Sequence, residues 1–285
     1  MTTSQGEAPT TEQRAAPREA WDTIADGYDR YVAPQEVELA SEALRLAGLA
    51  PGHRFLDVAA GPGGLSLPAA RLGATVLATD WSPAMLARFA ARVREEGLSG
   101  AEGRVMDCHA LDLPDDSFDV TGSLFGVMLV ADQAGALREM VRVTKPGGRV
   151  LVIAYSFPAE LEFLQLFVGA LTAIAPDFPG LPDDPPPLEF QVSDPGVLRR
   201  RLIDAGLKSV RVERTAERPA FASGQEMWDW VMYGNPIPGA LVADLTEEQR
   251  VRLRHVLDGM VRERTGANGR AVLTNAVNVA IGITS

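Results

Sequence analysis

Apolar residues recur along this chain in two rhythms, one near 3.6 and one of short continuous runs, and their boundaries divide it into elements. Trp21, Ile24, Ala25, Tyr28 and Tyr31 stand three and four apart, which predicts one face of an amphipathic helix ending before Pro34. A second helix is expected over 36–47. Pro51-Gly52 then turns the chain into Arg54-Phe-Leu-Asp-Val-Ala-Ala60, a run short enough for a buried strand. A helix is expected after Gly64, and a strand over 74–79 closed by Asp80. Ser82 is the expected N-cap of the next helix, with Pro83 in its first turn and Met85, Leu86, Phe89, Ala90 and Val93 as its apolar stripe. Further strands are predicted up to Met106, over 118–125 and over 149–155, with a helix at 136–143 and a turn at Lys145-Pro-Gly-Gly148. Strand and helix in this alternation argue for a doubly wound α/β fold, a mostly parallel sheet with helices on both faces.

Beyond Tyr155 the alternation breaks. An apolar helix is expected over 158–175, a Pro-rich loop over 176–187, a helix over 194–207 and a strand over 209–215. Helices near 223–233 and 246–264 follow, the second opened by the capping-box spacing of Thr246 and Gln249, and an apolar strand closes the chain over 271–284. The expected division is a disordered tail (1–20), N-terminal lid helices (21–48), a ligand-binding core (49–155), and a region (156–285) in which lid inserts accompany the last strands.

Composition narrows the picture. With 285 residues, 46% of them hydrophobic, the chain suits one large α/β domain with a lid better than two independent domains. A net charge of -11 repels phosphate backbones, so no nucleic-acid partner is expected. The single cysteine, Cys108, excludes an internal disulfide and a multi-cysteine metal site, and His53, His109 and His255 lie far apart. No apolar run reaches bilayer-spanning length and the first twenty residues lack the apolar centre of a secretory signal, so a cytoplasmic protein without a membrane partner is expected.

The candidate chemistry sits at the ends of the expected strands. Leu56-Asp-Val-Ala-Ala-Gly-Pro-Gly-Gly64 is a Gly-rich turn after a buried strand, where the missing Cβ atoms of Gly61 and Gly63 let the backbone approach a ligand. Asp80, closing the second strand, can accept from two ribose hydroxyls, and Asp107, closing the third, from an exocyclic amine such as adenine presents. Each feature alone is commonplace, a plain turn or a solvated acid. Three in register at adjacent strand ends point to a nucleoside-like ligand.

These motifs resemble the class I S-adenosylmethionine-dependent methyltransferases. Leu56-Asp-Val-Ala-Ala-Gly-Pro-Gly63 is similar to that family's first motif and Thr79-Asp-Trp-Ser-Pro-Ala-Met-Leu86 to its second, while 106–119 and 137–148 complete the set in order. The opening Trp21-Asp-x-x-Ala25-x-x-Tyr28-Asp29 is similar to the start of the ubiquinone/menaquinone-biosynthesis group, which implies a small-molecule acceptor. The resemblance implies a seven-stranded sheet with an antiparallel last strand, S-adenosylmethionine as cofactor, S-adenosylhomocysteine as product, and a monomer or homodimer. It places Asp57, Ala59, Gly61 and Gly63 along the methionine part, Asp80 at the ribose with Trp81 along the adenine, and Asp107, Cys108 and His109 at the adenine edge. Ser123 and Phe125 would stand near the sulfonium and the acceptor. Ala59 departs from the commonest motif, which has Gly there, and is a tolerable replacement if φ stays negative.

Tyr28, Trp228 and Tyr233 are ordinarily core aromatics; their place in the lid segments makes them expected walls of an apolar acceptor pocket together with Phe125. No metal is expected, because the position after the fourth strand carries no acidic ligand and Asp132 reads as a surface residue. No catalytic residue is singled out. A nicotinamide-binding turn is disfavoured by Ser66 where that fingerprint has Gly or Ala. The alternative that stays open is a non-methylating enzyme or regulator that keeps the adenosyl pocket.

Overall fold

The computed structural model describes residues 15–182 and 184–285. Residues 1–14, most of the stretch read as a tail, lie outside the described residues, and α1 (Arg18–Gly27) already begins within that stretch. The helix does not stop at Pro34. It passes through a π-helical turn (Tyr28–Val32) into α2 (Ala33–Leu46), with Pro34 in the first turn of α2. Proline there forfeits no intrahelical bond, and the N–H of Ala33 reaches back to the Tyr28 carbonyl instead.

The predicted alternation then follows: β1 (Arg54–Val58), α3 (Ser66–Arg71), β2 (Thr75–Asp80), α4 (Pro83–Glu95), β3 (Ala101–Val105), β4 (Phe118–Leu124), α5 (Gln133–Val143) and β5 (Thr144–Tyr155). Ser82 caps α4 through its hydroxyl, which accepts from the Met85 N–H at 3.1 Å. Lys145–Gly148, expected as a turn, lies inside β5 as an irregularity, where Gly147 has φ +76° and the register against β4 shifts. After β5 come α6 (Glu162–Ile174), α7 (Pro195–Asp204), β6 (Lys208–Glu217), β7 (Ala220–Phe221), α8 (Gly224–Gly234), α9 (Pro236–Leu241), α10 (Glu247–Glu263), β8 (Ala271–Val272) and β9 (Asn275–Ile283). The capping box of Thr246 and Gln249 forms on α10. The expected single last strand is two: β8 pairs with β7 outside the main sheet, and only β9 enters it.

Seven strands make the main sheet, in the order β3-β2-β1-β4-β5-β9-β6, with β9 antiparallel to both neighbours and the other pairings parallel. The direction of winding reverses between β1 and β4, so a crevice opens at the carboxyl ends of these strands. Two separate apolar clusters flank it. One lies on the sheet, around Phe55, Leu56, Val120, Leu151 and Ile153. The other joins α6, α8 and α10 through Phe167, Trp228, Leu253 and Leu257. Each large side chain buried in either contributes about 1.5–3 kcal/mol, so the lid has a core of its own.

Candidate functional site

A cleft of about 250 Å³ sits between the strand ends and the lid. Its floor is polar. Asp57, at the end of β1, is buried, and the backbone N–H and hydroxyl of Ser66 both donate to its Oδ2 (2.9 and 2.7 Å). Its Oδ1 is buried without a protein partner, and the residue lines the cleft. Burial pushes this carboxyl up to about 7 despite the Ser66 hydrogen bonds. An orphan buried acceptor facing a cavity is a group awaiting a donor.

Asp80 closes β2 with its two oxygens held apart by backbone N–H groups, Gly61 on Oδ2 at 2.9 Å and Ser82 on Oδ1 at 2.8 Å. That grip fixes the carboxylate at the rim while leaving a lone pair on each oxygen for a pair of hydroxyls. Burial raises its pKa, and the N–H groups of Ser82 and Gly61 oppose the rise. Trp81 beside it is 39% exposed and lines the cleft, a free ring face at the mouth. Past β3, the His109 N–H and Nδ1 both meet Asp107 Oδ1 (2.9 and 2.7 Å), and the backbone bond in particular holds the Asp107 carboxyl below its usual range. Cys108 also lines the cleft, its thiol pushed up to about 12 by burial and the nearby acids and therefore neutral. Among the described residues Asp107, Cys108 and His109 are the one group whose ligand atoms lie within reach of a shared ion; the Asp107–His109 contact accounts for their closeness.

Backbone strain gathers at the same place. Ala59 has φ +53° and Phe125 φ +55°, both in the left-handed region that costs a non-glycine residue about 1–2 kcal/mol. The condition of a negative φ at Ala59 is therefore not met. The reason is close approach: a Cβ on Gly126 would stand 2.6 Å from Ala59 Cβ and 2.8 Å from its carbonyl oxygen. The ends of β1 and β4 approach closely here, and both Ala59 and Phe125 line the cleft.

Of the residues expected at the cofactor, Asp57, Ala59, Gly61, Asp80, Trp81, Asp107, Cys108, His109 and Phe125 line the cleft. Gly63 and Ser123 do not. Gly63, at φ +101°, packs against α4, where a Cβ would meet Phe89 at 2.5 Å. Ser123 is buried and ties β4 to β1, donating to the Val58 carbonyl at 2.7 Å and accepting from the Val127 N–H at 3.1 Å. Of the expected acceptor walls, Phe125 and Tyr28 line the cleft, while Trp228 and Tyr233 are lid core. Trp228 packs against Phe167 at 6.3 Å and lies under the Arg254 guanidinium at 5.6 Å; Tyr233 stacks on Tyr31 at 5.6 Å. The α8 wall of the cleft is Trp230, Val231 and Gly234, and Trp230 points about 200° round the helix from Trp228.

Among the wall residues that sequence reasoning missed are Glu36, Tyr155, Phe163 and Glu189. Tyr155 stacks on Phe125 (4.4 Å between centroids), and Phe163 meets Trp230 edge-on at 5.1 Å. One signal was present. Glu36 interrupts the buried stripe Ala33, Leu39, Ala40, Ala43 of α2, and an acid in an apolar stripe calls for a partner.

Comparisons with known proteins agree with this geometry. Residues 56–152 match the family described as methyltransferase domain. Over 141 residues the chain is 42% identical to an uncharacterized protein of Mycobacterium tuberculosis, covering 50% of this chain and 49% of that one, so it spans about half the length of the first curated relatives it matches. Over 192 residues it is 34% identical to the demethylmenaquinone methyltransferase of Mycobacterium bovis, covering 65% of this chain and 76% of that enzyme. Among solved structures, a Bacillus subtilis protein superposes with a TM-score of 0.56 at 19% identity, covering 86% of this chain and 97% of that one. A Haemonchus contortus phosphoethanolamine N-methyltransferase in complex with S-adenosyl-L-methionine superposes with a TM-score of 0.54 at 18% identity, covering 87% and 53%. Both of these speak to the fold. The doubly wound sheet with a nucleoside-type crevice is that of a class I methyltransferase. The chain belongs to the S-adenosylmethionine-dependent methyltransferases of the menaquinone-biosynthesis type. Among the described residues no helix is long and apolar enough to cross a membrane.

Proposed function

We propose that this chain transfers a methyl group from S-adenosylmethionine to an O, N or C nucleophile of a small, largely apolar metabolite. The observation that carries the reading is the division of one cleft into a polar floor of strand-end acids and an aromatic roof from the lid. The floor fits the cofactor: the orphan Asp57 Oδ1 matches a cationic amino group, and a Cβ at Gly61 would meet nothing nearer than Met85 Sδ at 4.0 Å. On this reading Asp57, Ala59 and Gly61 hold the methionine part, Asp80 the ribose, and Trp81, Asp107, Cys108 and His109 surround the adenine. The cofactor supplies an electrophilic methyl on a sulfonium, so this chain's residues have mainly to align the nucleophile and exclude water. Phe125, Tyr155, Phe163 and Trp230 do both, as rigid apolar walls over the strand ends. Phe163 and Trp230 come from the lid formed by segments 21–48 and 156–285, while Phe125 and Tyr155 rise from strand ends of the core 49–155, and none of the assigned roles uses a metal.

Incubating the full chain with methyl-labelled S-adenosylmethionine and a metabolite extract tests the reading. A product carrying the label is expected. An acceptor that is converted without gaining the label would replace methyl transfer with the non-methylating use of the fold.

A further inference from the structure

The methionine part of S-adenosylmethionine carries an ammonium and a carboxylate on one carbon. The orphan Asp57 Oδ1 answers the first. The second needs donors, and among the described wall residues of the cleft none is Lys or Arg. The backbone of the Gly-rich turn supplies few. Pro62 has no N–H, and the N–H groups of Ala60, Gly61, Gly63 and Ser66 are committed to the Thr79 carbonyl, Asp80, the Ala60 carbonyl and Asp57. One side chain lies against what remains of the turn. Glu36, on α2, lines the cleft and is 2% exposed, and its Oε2 is 3.0 Å from where a Cβ on Gly64 would stand. Its Oε1 accepts from the Tyr28 hydroxyl at 2.8 Å. Tyr28 thus occupies the oxygen that acts as the carbonyl, and in the neutral acid the proton sits on the oxygen beside the turn.

We propose, resting on the methyltransferase reading, that Glu36 is a cofactor-binding residue that works as a protonated acid, its Oε2–H donating to the cofactor's carboxylate while Asp57 receives the ammonium. An ionised Glu36 would set two carboxylates against each other in a cleft of low dielectric. Burial, then the charge of Glu217, pushes the Glu36 carboxyl up to about 8; the Tyr28 hydrogen bond opposes the rise without reversing it. The titratable groups facing Glu36 are Tyr28 on the π-helical turn, Tyr155 on β5 and Glu217 on β6. Glu217 accepts in turn from Asn275 at 3.2 Å and Tyr155 at 3.3 Å. The helix α3 also packs on α2, and its one charged residue, Arg71, pairs with Glu96 instead. Cofactor binding is therefore linked to one proton. Below about 8 that proton is already on Glu36; above it, binding must take the proton up from solution and weakens as pH rises.

The test is calorimetric binding to the full chain of S-adenosylhomocysteine and of its decarboxylated analogue, which keeps the ammonium and the adenosine but lacks the carboxylate. Between about pH 7 and about pH 9.5 the wild-type preference for S-adenosylhomocysteine over the analogue should shrink roughly tenfold as Glu36 ionises. Glu36→Gln keeps a donor but nothing that titrates, so its preference should stay level across the same range. At the alkaline end the wild type should also take up more protons on binding than this variant, read from titrations in buffers of different ionisation enthalpy. Glu36→Ala, which removes the donor, should weaken S-adenosylhomocysteine roughly tenfold or more at neutral pH and leave the analogue unchanged; a merely structural role would weaken both ligands together. A wild-type preference that does not change with pH overturns the assignment, and that comparison needs no variant should E36Q melt early. An equal alkaline loss in the wild type and in folded E36Q overturns it too. Failure of S-adenosylhomocysteine to bind at any pH would instead sink the methyltransferase reading, and the proton linkage with it.

Discussion

The floor and the roof of the cleft are assembled by different means. The floor draws on Asp57, Asp80, Asp107 and Phe125, each within two residues of the end of a strand in a continuous sheet. Their positions follow from backbone hydrogen bonding, and the strain at Ala59 and Phe125 marks where that backbone is forced together. The roof draws on α2, α6, the turn Leu188–Phe190 and α8, whose residues must also build a hydrophobic core. Substitutions in the floor should therefore act on ligands, and substitutions in the roof first on stability.

The largest effect is expected from Trp228→Ala. Trp228 fills the lid core between Phe167 and Arg254, so truncation should cost about 3–5 kcal/mol of stability. Thermal unfolding should fall while the folded fraction binds S-adenosylhomocysteine as before; weakened binding without loss of stability would make Trp228 part of the roof after all.

Next comes pH. The Glu36 carboxyl is raised from 4.5 to about 8 and that of Glu217 from 4.5 to about 7, both chiefly by burial. The unfolded chain releases these protons first, so the stability they contribute is complete below about 4.5 and is lost as pH rises to about 8. Denaturant unfolding of the ligand-free chain across this window should show the decline, and Glu36→Gln should flatten it. An unchanged slope in that variant would contradict the buried neutral acid.

Asp80→Ala sharpens the comparison from the other side. On the proposed reading it leaves two ribose hydroxyls without a charged acceptor, a loss of roughly 1.5–3 kcal/mol, or at least tenfold in S-adenosylhomocysteine affinity by calorimetry. Unchanged affinity in a folded protein would remove Asp80 from the ribose. The smallest effect is expected from Ala59→Gly, which relieves a left-handed alanine and should add about 0.5–1 kcal/mol in thermal unfolding.

The same contrast decides what could be read from the sequence. Strand ends are local: an apolar run, an acid and a Gly-rich turn lie within a few residues, so Asp57, Gly61, Asp80 and Asp107 could be placed in the cleft without coordinates. The fold order was equally legible up to Tyr155, because each crossover is short. Gly63, in the first motif, packs against α4 and Ser123, after the fourth strand, ties β4 to β1, and no local pattern separates those roles from ligand contact. The roof depends on which face of each helix the lid turns inward. Trp228 and Trp230 are equally aromatic, and only tertiary packing puts the second one in the cleft. Proline misled once: Pro34 begins a helix it was expected to precede.

Amide hydrogen exchange with and without S-adenosylhomocysteine tests the central claim most directly, that the adenosyl ligand lies on the strand ends beneath a lid with its own core. Exchange should slow in 59–64, 80–82 and 107–109 and stay unchanged in α10, Glu247–Glu263. Protection centred on α10, with the strand-end loops unaffected, would contradict it.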